Sequence, residues 1–92
     1  MGNKTYFEFL EEEFQVLTSQ LQSSLAKIAT DRSYDNAETA ELVAVSSKQL
    51  HRCQAVFQQL RNECKGDAEY TDRVYLYKTQ LYALKAEHET HQ

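Results

Sequence analysis

Residues 41–64, ELVAVSSKQLHRCQAVFQQLRNEC, decide how this chain folds. Within them Val43, Ser46, Leu50, Cys53, Phe57, Leu60 and Cys64 advance by alternating steps of three and four, which places all seven along one stripe of an α-helix. The predicted helix runs from Asn36 to Cys64, roughly 40 Å at 1.5 Å per residue. Its stripe must be covered by partners of similar length, because propensity alone contributes little to helical stability in water. The segments on either side supply them.

On the N-terminal side, Phe7, Leu10, Phe14, Leu17, Leu21, Ser24 and Ile28 repeat the same spacing, and Leu25 widens the stripe, so a first helix is expected over residues 5–30. Glu8, Glu11, Glu12 and Glu13 crowd its early turns and Lys27 and Arg32 lie near its other end, the charge order that suits a helix dipole. The stretch DRSYDN, 31–36, has no apolar period and reads as a loop. Asp35 with Glu38 has the spacing of a capping box, with Asn36 as an alternative cap.

On the C-terminal side, Lys65-Gly66-Asp67 ends the central helix, with Gly66 suited to the left-handed conformation and Asp67 able to cap a new helix at once. A third helix, 67–88, carries Tyr70, Val74, Tyr77, Leu81, Leu84 and His88 on its stripe, leaving residues 89–92 as a flexible tail. With no proline and two glycines in 92 residues, the whole chain reads as one all-α domain, an antiparallel up-down-up three-helix bundle with a left-handed, heptad-like core.

Several function classes find no support in the sequence. The formal net charge is -4, with acidic and basic residues interspersed, which argues against a nucleic-acid or anionic-membrane surface. No apolar run approaches the roughly 20 residues of a membrane span. Met1-Gly2-Asn3-Lys4-Thr5-Tyr6 departs from an N-myristoylation signal, since its hydroxyl residue falls one place early. Cys53 and Cys64 lie eleven residues apart on one helical face, about 16 Å along the axis, too far for a disulfide; they read as buried thiols of a reducing compartment. His88-Glu89-Thr90-His91 is one residue short of the HExxH zinc motif, and its position at the chain's end reads as a frayed, solvated tail. His51 lies opposite the central stripe. No catalytic group, metal site or cofactor is expected, and the acidic clusters at 11–13 and 38–41 are explained by first-turn electrostatics.

Two pairs of apolar residues fall off the stripes. Tyr75 and Tyr82 are seven apart and roughly 130° from the stripe of the third helix, and Phe9 and Val16, also seven apart, point more than about 90° from that of the first, so they read as partly exposed. Tyrosine is enriched in protein interfaces, so Tyr75 and Tyr82 are the leading candidate partner-binding anchors, with Phe9 and Val16 as the alternative surface. The bland reading of both pairs is chance exposure.

The third helix, EYTDRVYLYKTQLYALKAEH, resembles the third helix of the N-terminal, Habc-like domain of the Vti family of Qb-type SNARE proteins. The resemblance rests on Tyr70, the polar pair Thr71-Asp72, Arg73, Val74, Tyr77-Lys78, Leu81 and Leu84. Phe7, the acidic run before Phe14, Val16-Leu17-Thr18 and Leu21 are similar to the family's opening segment, while Lys48-Gln49-Leu50, Leu60 and Glu63 in the central helix are compatible with it. The resemblance implies a regulatory domain of vesicle transport and membrane fusion. It would sit on the cytosolic face of Golgi, trans-Golgi or endosomal membranes, monomeric in isolation, and bind trafficking factors such as ENTH-type clathrin adaptors. It implies too that a SNARE motif, which would engage other SNAREs, and a membrane anchor would lie beyond Gln92. A spectrin-like structural repeat, which usually has a tryptophan in its first helix where this chain has none, and a stand-alone helical adaptor stay open as alternatives.

Overall fold

The computed structural model describes residues 5–30 and 35–91. Gly2, Arg32 and most of the expected first loop lie outside the described residues, as does Gln92. Within them the chain forms three helices and no strand: α1 (Tyr6–Thr30), α2 (Asn36–Glu63) and α3 (Ala68–Glu89).

Each helix starts where a side chain can satisfy its free amides. Asp35 accepts from the Glu38 amide at 2.7 Å and Glu38 reaches back to the Asp35 amide, a complete capping box for α2. The same device opens α1. Thr5 Oγ1 accepts from the Glu8 amide at 3.1 Å and Glu8 accepts from the Thr5 amide at 3.4 Å, a signal legible in Thr5-x-x-Glu8 that periodicity alone overlooks. Between α2 and α3 the turn is held by Gly66 at φ +78°, and Asp67 caps α3 by accepting from the Tyr70 amide at 3.1 Å. A left-handed residue followed at once by a cap reverses the chain within the four residues 64–67.

Contacts between helices fix the topology. Ser24 meets Gln49 and Tyr6 meets Gln59, so α1 and α2 are antiparallel. Ser46 meets His88 while Cys64 lies by the turn into α3, so α2 and α3 are antiparallel too. Thr5 meets Tyr70 and Thr18 meets Gln80, so α1 and α3 run the same way. The result is the expected up-down-up bundle, with its lower end at the α2–α3 turn. It is a rod of 48 × 26 × 17 Å, its length set by α2, whose 28 residues span about 42 Å. The most extensive packing is between α1 and α2, with α3 leaning more on α2 than on α1.

The core follows the stripes with shifts. Phe7, Leu10, Phe14, Leu21 and Leu25 of α1, Leu50, Cys53, Phe57 and Leu60 of α2, and Val74, Leu81 and Leu84 of α3 are buried. Val56, off the predicted stripe, is buried too, whereas Val43 at the start of α2 is only half covered. In α1, Thr18 is buried and Leu17 half-buried, because the hydroxyl satisfies itself on the Gln15 carbonyl at 3.1 Å and receives Gln80 Nε2 at 3.4 Å.

The solvated tail expected at the C-terminal end is corrected at His88, while Glu89 and Thr90 are exposed. α3 continues to Glu89, the Thr90 amide donates to the last carbonyls of the helix, and His88 is only 2% exposed. Its Nδ1 lies 2.9 Å from Ser46 Oγ, whose hydroxyl also bonds the Val43 carbonyl at 2.8 Å. His88 is a packing residue at the upper end of the core.

Candidate interaction surface

α3 leaves the core with two tyrosines on its outside. Tyr75 is 68% and Tyr82 56% exposed, as their spacing predicts, since seven residues on a helix return to nearly the same direction. Between them stands Lys78, one turn after Tyr75 and one turn before Tyr82. Its Nζ lies 5.6 Å from both ring centroids, within cation–π range of each. The ammonium ties two otherwise independent rings into one aromatic–cationic ridge. Beside this ridge runs the groove between α2 and α3, floored by Phe57 and Val74 and rimmed by Arg61, Cys64, Tyr75 and Lys78. Its two charged members are both cations.

α1 carries the other exposed pair, Phe9 at 60% and Val16 at 56%. Glu12 and Glu13 stand between them and line the same shallow surface depression. Leu76, 72% exposed on α3, and Val45 on α2 are further exposed apolar residues that periodicity did not single out.

The residues that carry the family resemblance behave differently. Tyr70 stacks flat on Phe7, with centroids 4.0 Å apart and planes 7° off parallel, and shares a 3.3 Å hydrogen bond with Thr5. Tyr77 packs against Phe14 and donates to Glu11 Oε2 at 2.6 Å. Arg73 donates to Glu11 Oε1 at 3.1 Å and to Glu69 at 2.9 Å, with its guanidinium 5.6 Å from the Tyr70 ring. Leu84 is in the core. Tyr70, Arg73 and Tyr77 therefore clamp α3 to α1, and among Tyr70, Arg73, Tyr77, Lys78 and Leu84 only Lys78 belongs to the outer ridge.

The electrostatics fit that division. Burial pushes the Tyr77 phenol up to about 12, and donation to the Glu11 carboxylate acts the same way. Glu11, reinforced by Glu69, holds the Arg73 guanidinium above its ordinary range. Burial pushes the Cys53 thiol up to about 11, leaving it protonated and unreactive at neutral pH. Cys64, half-buried, donates to the Arg61 carbonyl. Among the described residues no group of three or more His, Cys, Asp or Glu side chains is placed to hold a metal ion, and His88 is turned to Ser46. No helix among them is long and apolar enough to cross a membrane. Compared with family models, with curated proteins and with solved structures, the chain finds no match in any of the three.

Proposed function

We propose that this bundle is a non-catalytic protein-binding domain that docks a folded partner on the outer face of α3. The observation that carries the reading is the ridge of Tyr75, Lys78 and Tyr82, two largely exposed rings fixed by one ammonium beside an open groove. Side chains of this kind bring large contact area at small entropic cost, which is why tyrosine recurs at interface hot spots. The resemblance of Tyr70 to Leu84 to the Vti family supports a specific setting. In that setting the domain is the N-terminal regulatory module of a Qb-SNARE in Golgi and endosomal vesicle transport, and its partner is an ENTH-type clathrin adaptor.

Titration of a purified ENTH domain into this domain tests the reading. Tyr75→Ser with Tyr82→Ser should leave helix content and melting temperature nearly unchanged and weaken binding by more than about tenfold per anchor, the scale of an interface hot spot. If the wild-type domain does not bind, the adaptor is the wrong partner. If the double variant binds as well as wild type, the docking face is not on α3, and Phe9 with Val16 becomes the face to substitute.

A further inference from the structure

The exposed pairs on α1 and α3 are built to one pattern with opposite charge. On α1, Phe9 and Val16 bracket Glu12 and Glu13; on α3, Tyr75 and Tyr82 bracket Lys78, with Arg61 across the groove. Both pairs are seven residues apart, so the anchors of each stand about 10.5 Å apart along their helices. The charges sit at matching heights. Lys78 is three residues after Tyr75 and four before Tyr82, while Glu12 and Glu13 are three and four residues after Phe9. Laid side by side in either direction, the two faces therefore set apolar anchor against ring and carboxylate against ammonium.

We propose that the outer face of α3 receives the outer face of α1 from a second copy of this chain. Pairing of the α3 face with itself, or of the α1 face with itself, is disfavoured because each would bring like charges together. The contact is therefore heterologous: one copy contributes Phe9, the two glutamates and Val16, and the other contributes Tyr75, Lys78 and Tyr82. Both helices are already formed and the Lys78 side chain already lies over its rings, so little ordering accompanies association. Two single-helix faces bury well under the roughly 1,200 Å² of a stable interface, so the pairing is weak, and the dilute domain is monomeric. It is also salt-sensitive, because its charged groups are at the surface. Copies crowded together hold their tyrosine ridges covered until a stronger partner displaces the α1 face. The inference rests on charge and spacing alone and stands whether or not an ENTH-type adaptor binds.

Sedimentation of the intact domain from about 10 µM to about 1 mM tests it. The wild type should associate with rising concentration at roughly 0.02 M salt and at least tenfold less well at roughly 0.5 M. Lys78→Glu alone should remain monomeric over the same range, and so should Glu12→Lys with Glu13→Lys. An equimolar mixture of the two variants should associate about as strongly as wild type, because the acidic α3 face of the first then meets the basic α1 face of the second. A wild type monomeric throughout would overturn the proposal, as would variants that associate like wild type. A mixture that stays monomeric while both variants retain wild-type circular dichroism would overturn it equally. The wild-type salt series decides the matter even if a charge-reversed variant does not fold.

Discussion

Below the middle of the bundle, Phe7 lies flat on Tyr70 and Phe14 wedges toward Phe57 and Tyr77, while above it the layers carry Ser24, Ser46 and His88. The lower half is stabilised by aromatic area and sealed at its α1–α3 edge by Tyr77, Glu11 and Arg73. In the upper half Ser24 bonds Gln49 at 2.7 Å and Ser46 bonds His88 at 2.9 Å. Apolar area is non-directional and tolerates sliding; a short hydrogen bond between named residues on different helices does not. Both halves fix register in this way, the lower one through Tyr77 and Arg73 on Glu11, so the contrast lies in the aromatic area that stabilises the lower half.

Substitutions can break that contrast. The largest loss is expected from Phe14→Ala, about 3 to 5 kcal/mol, because the ring is fully buried and touches both other helices. In the upper half Leu50→Ala should cost about 2 to 3 kcal/mol, the low end for a leucine, since that side chain is 8% exposed and its site can relax. Urea titration of the two variants checks the order; a larger loss at Leu50 would place the stable half at the other end.

Smaller effects sharpen the comparison. Ser46→Ala should cost about 1 to 2 kcal/mol by removing the hydroxyl bonded to a buried imidazole. A double-mutant cycle with His88→Ala should return a coupling above about 0.5 kcal/mol, and zero coupling would mean that the 2.9 Å contact carries no energy. The lower half has its own signature in alkali. Tyr77 is held above its ordinary value of 10.0, up to about 12, so its contribution is fully present below pH 10 and is lost as pH rises toward 12. The stability difference between wild type and Tyr77→Phe should therefore shrink across that window in urea midpoints taken at each pH. A difference independent of pH would rule out the buried phenol as the cause. Cys53, raised from 9.0 to about 11, should add a loss that starts nearer pH 9. Arg52→Ala, on the exposed side of α2, should change stability by less than about 0.5 kcal/mol.

Much of this architecture is legible in the chain, for reasons visible at particular residues. The Asp35-x-x-Glu38 box and the Gly66-Asp67 turn are local devices whose partners lie within a few positions, so their residues announce their geometry. Tyr75, Tyr82, Phe9 and Val16 are exposed because helical period alone turns them away from the stripe. Periodicity puts His88 on the stripe of α3, but reading His88-Glu89-Thr90-His91 as a solvated tail fails at His88 because the residue that covers it, Ser46, stands 42 positions away. Thr18 and Val56 enter the core for a related reason: a stripe's edge is set by how far each neighbouring helix is rotated, which no single helix encodes.

Three helices, their limits and their order of burial were thus determined by spacing and by caps, both properties of short stretches of chain. The tertiary structure alone decided that Tyr70, Arg73 and Tyr77 would be consumed in clamping α3 to α1, while Lys78, one residue beyond Tyr77, would be left to join two exposed rings. One residue on a helix is a rotation of about 100°, enough to carry a side chain from the inner edge of a bundle to its surface. Where that edge falls depends on the neighbouring helices, and their positions are fixed by contacts as distant in sequence as Glu11 and Tyr77.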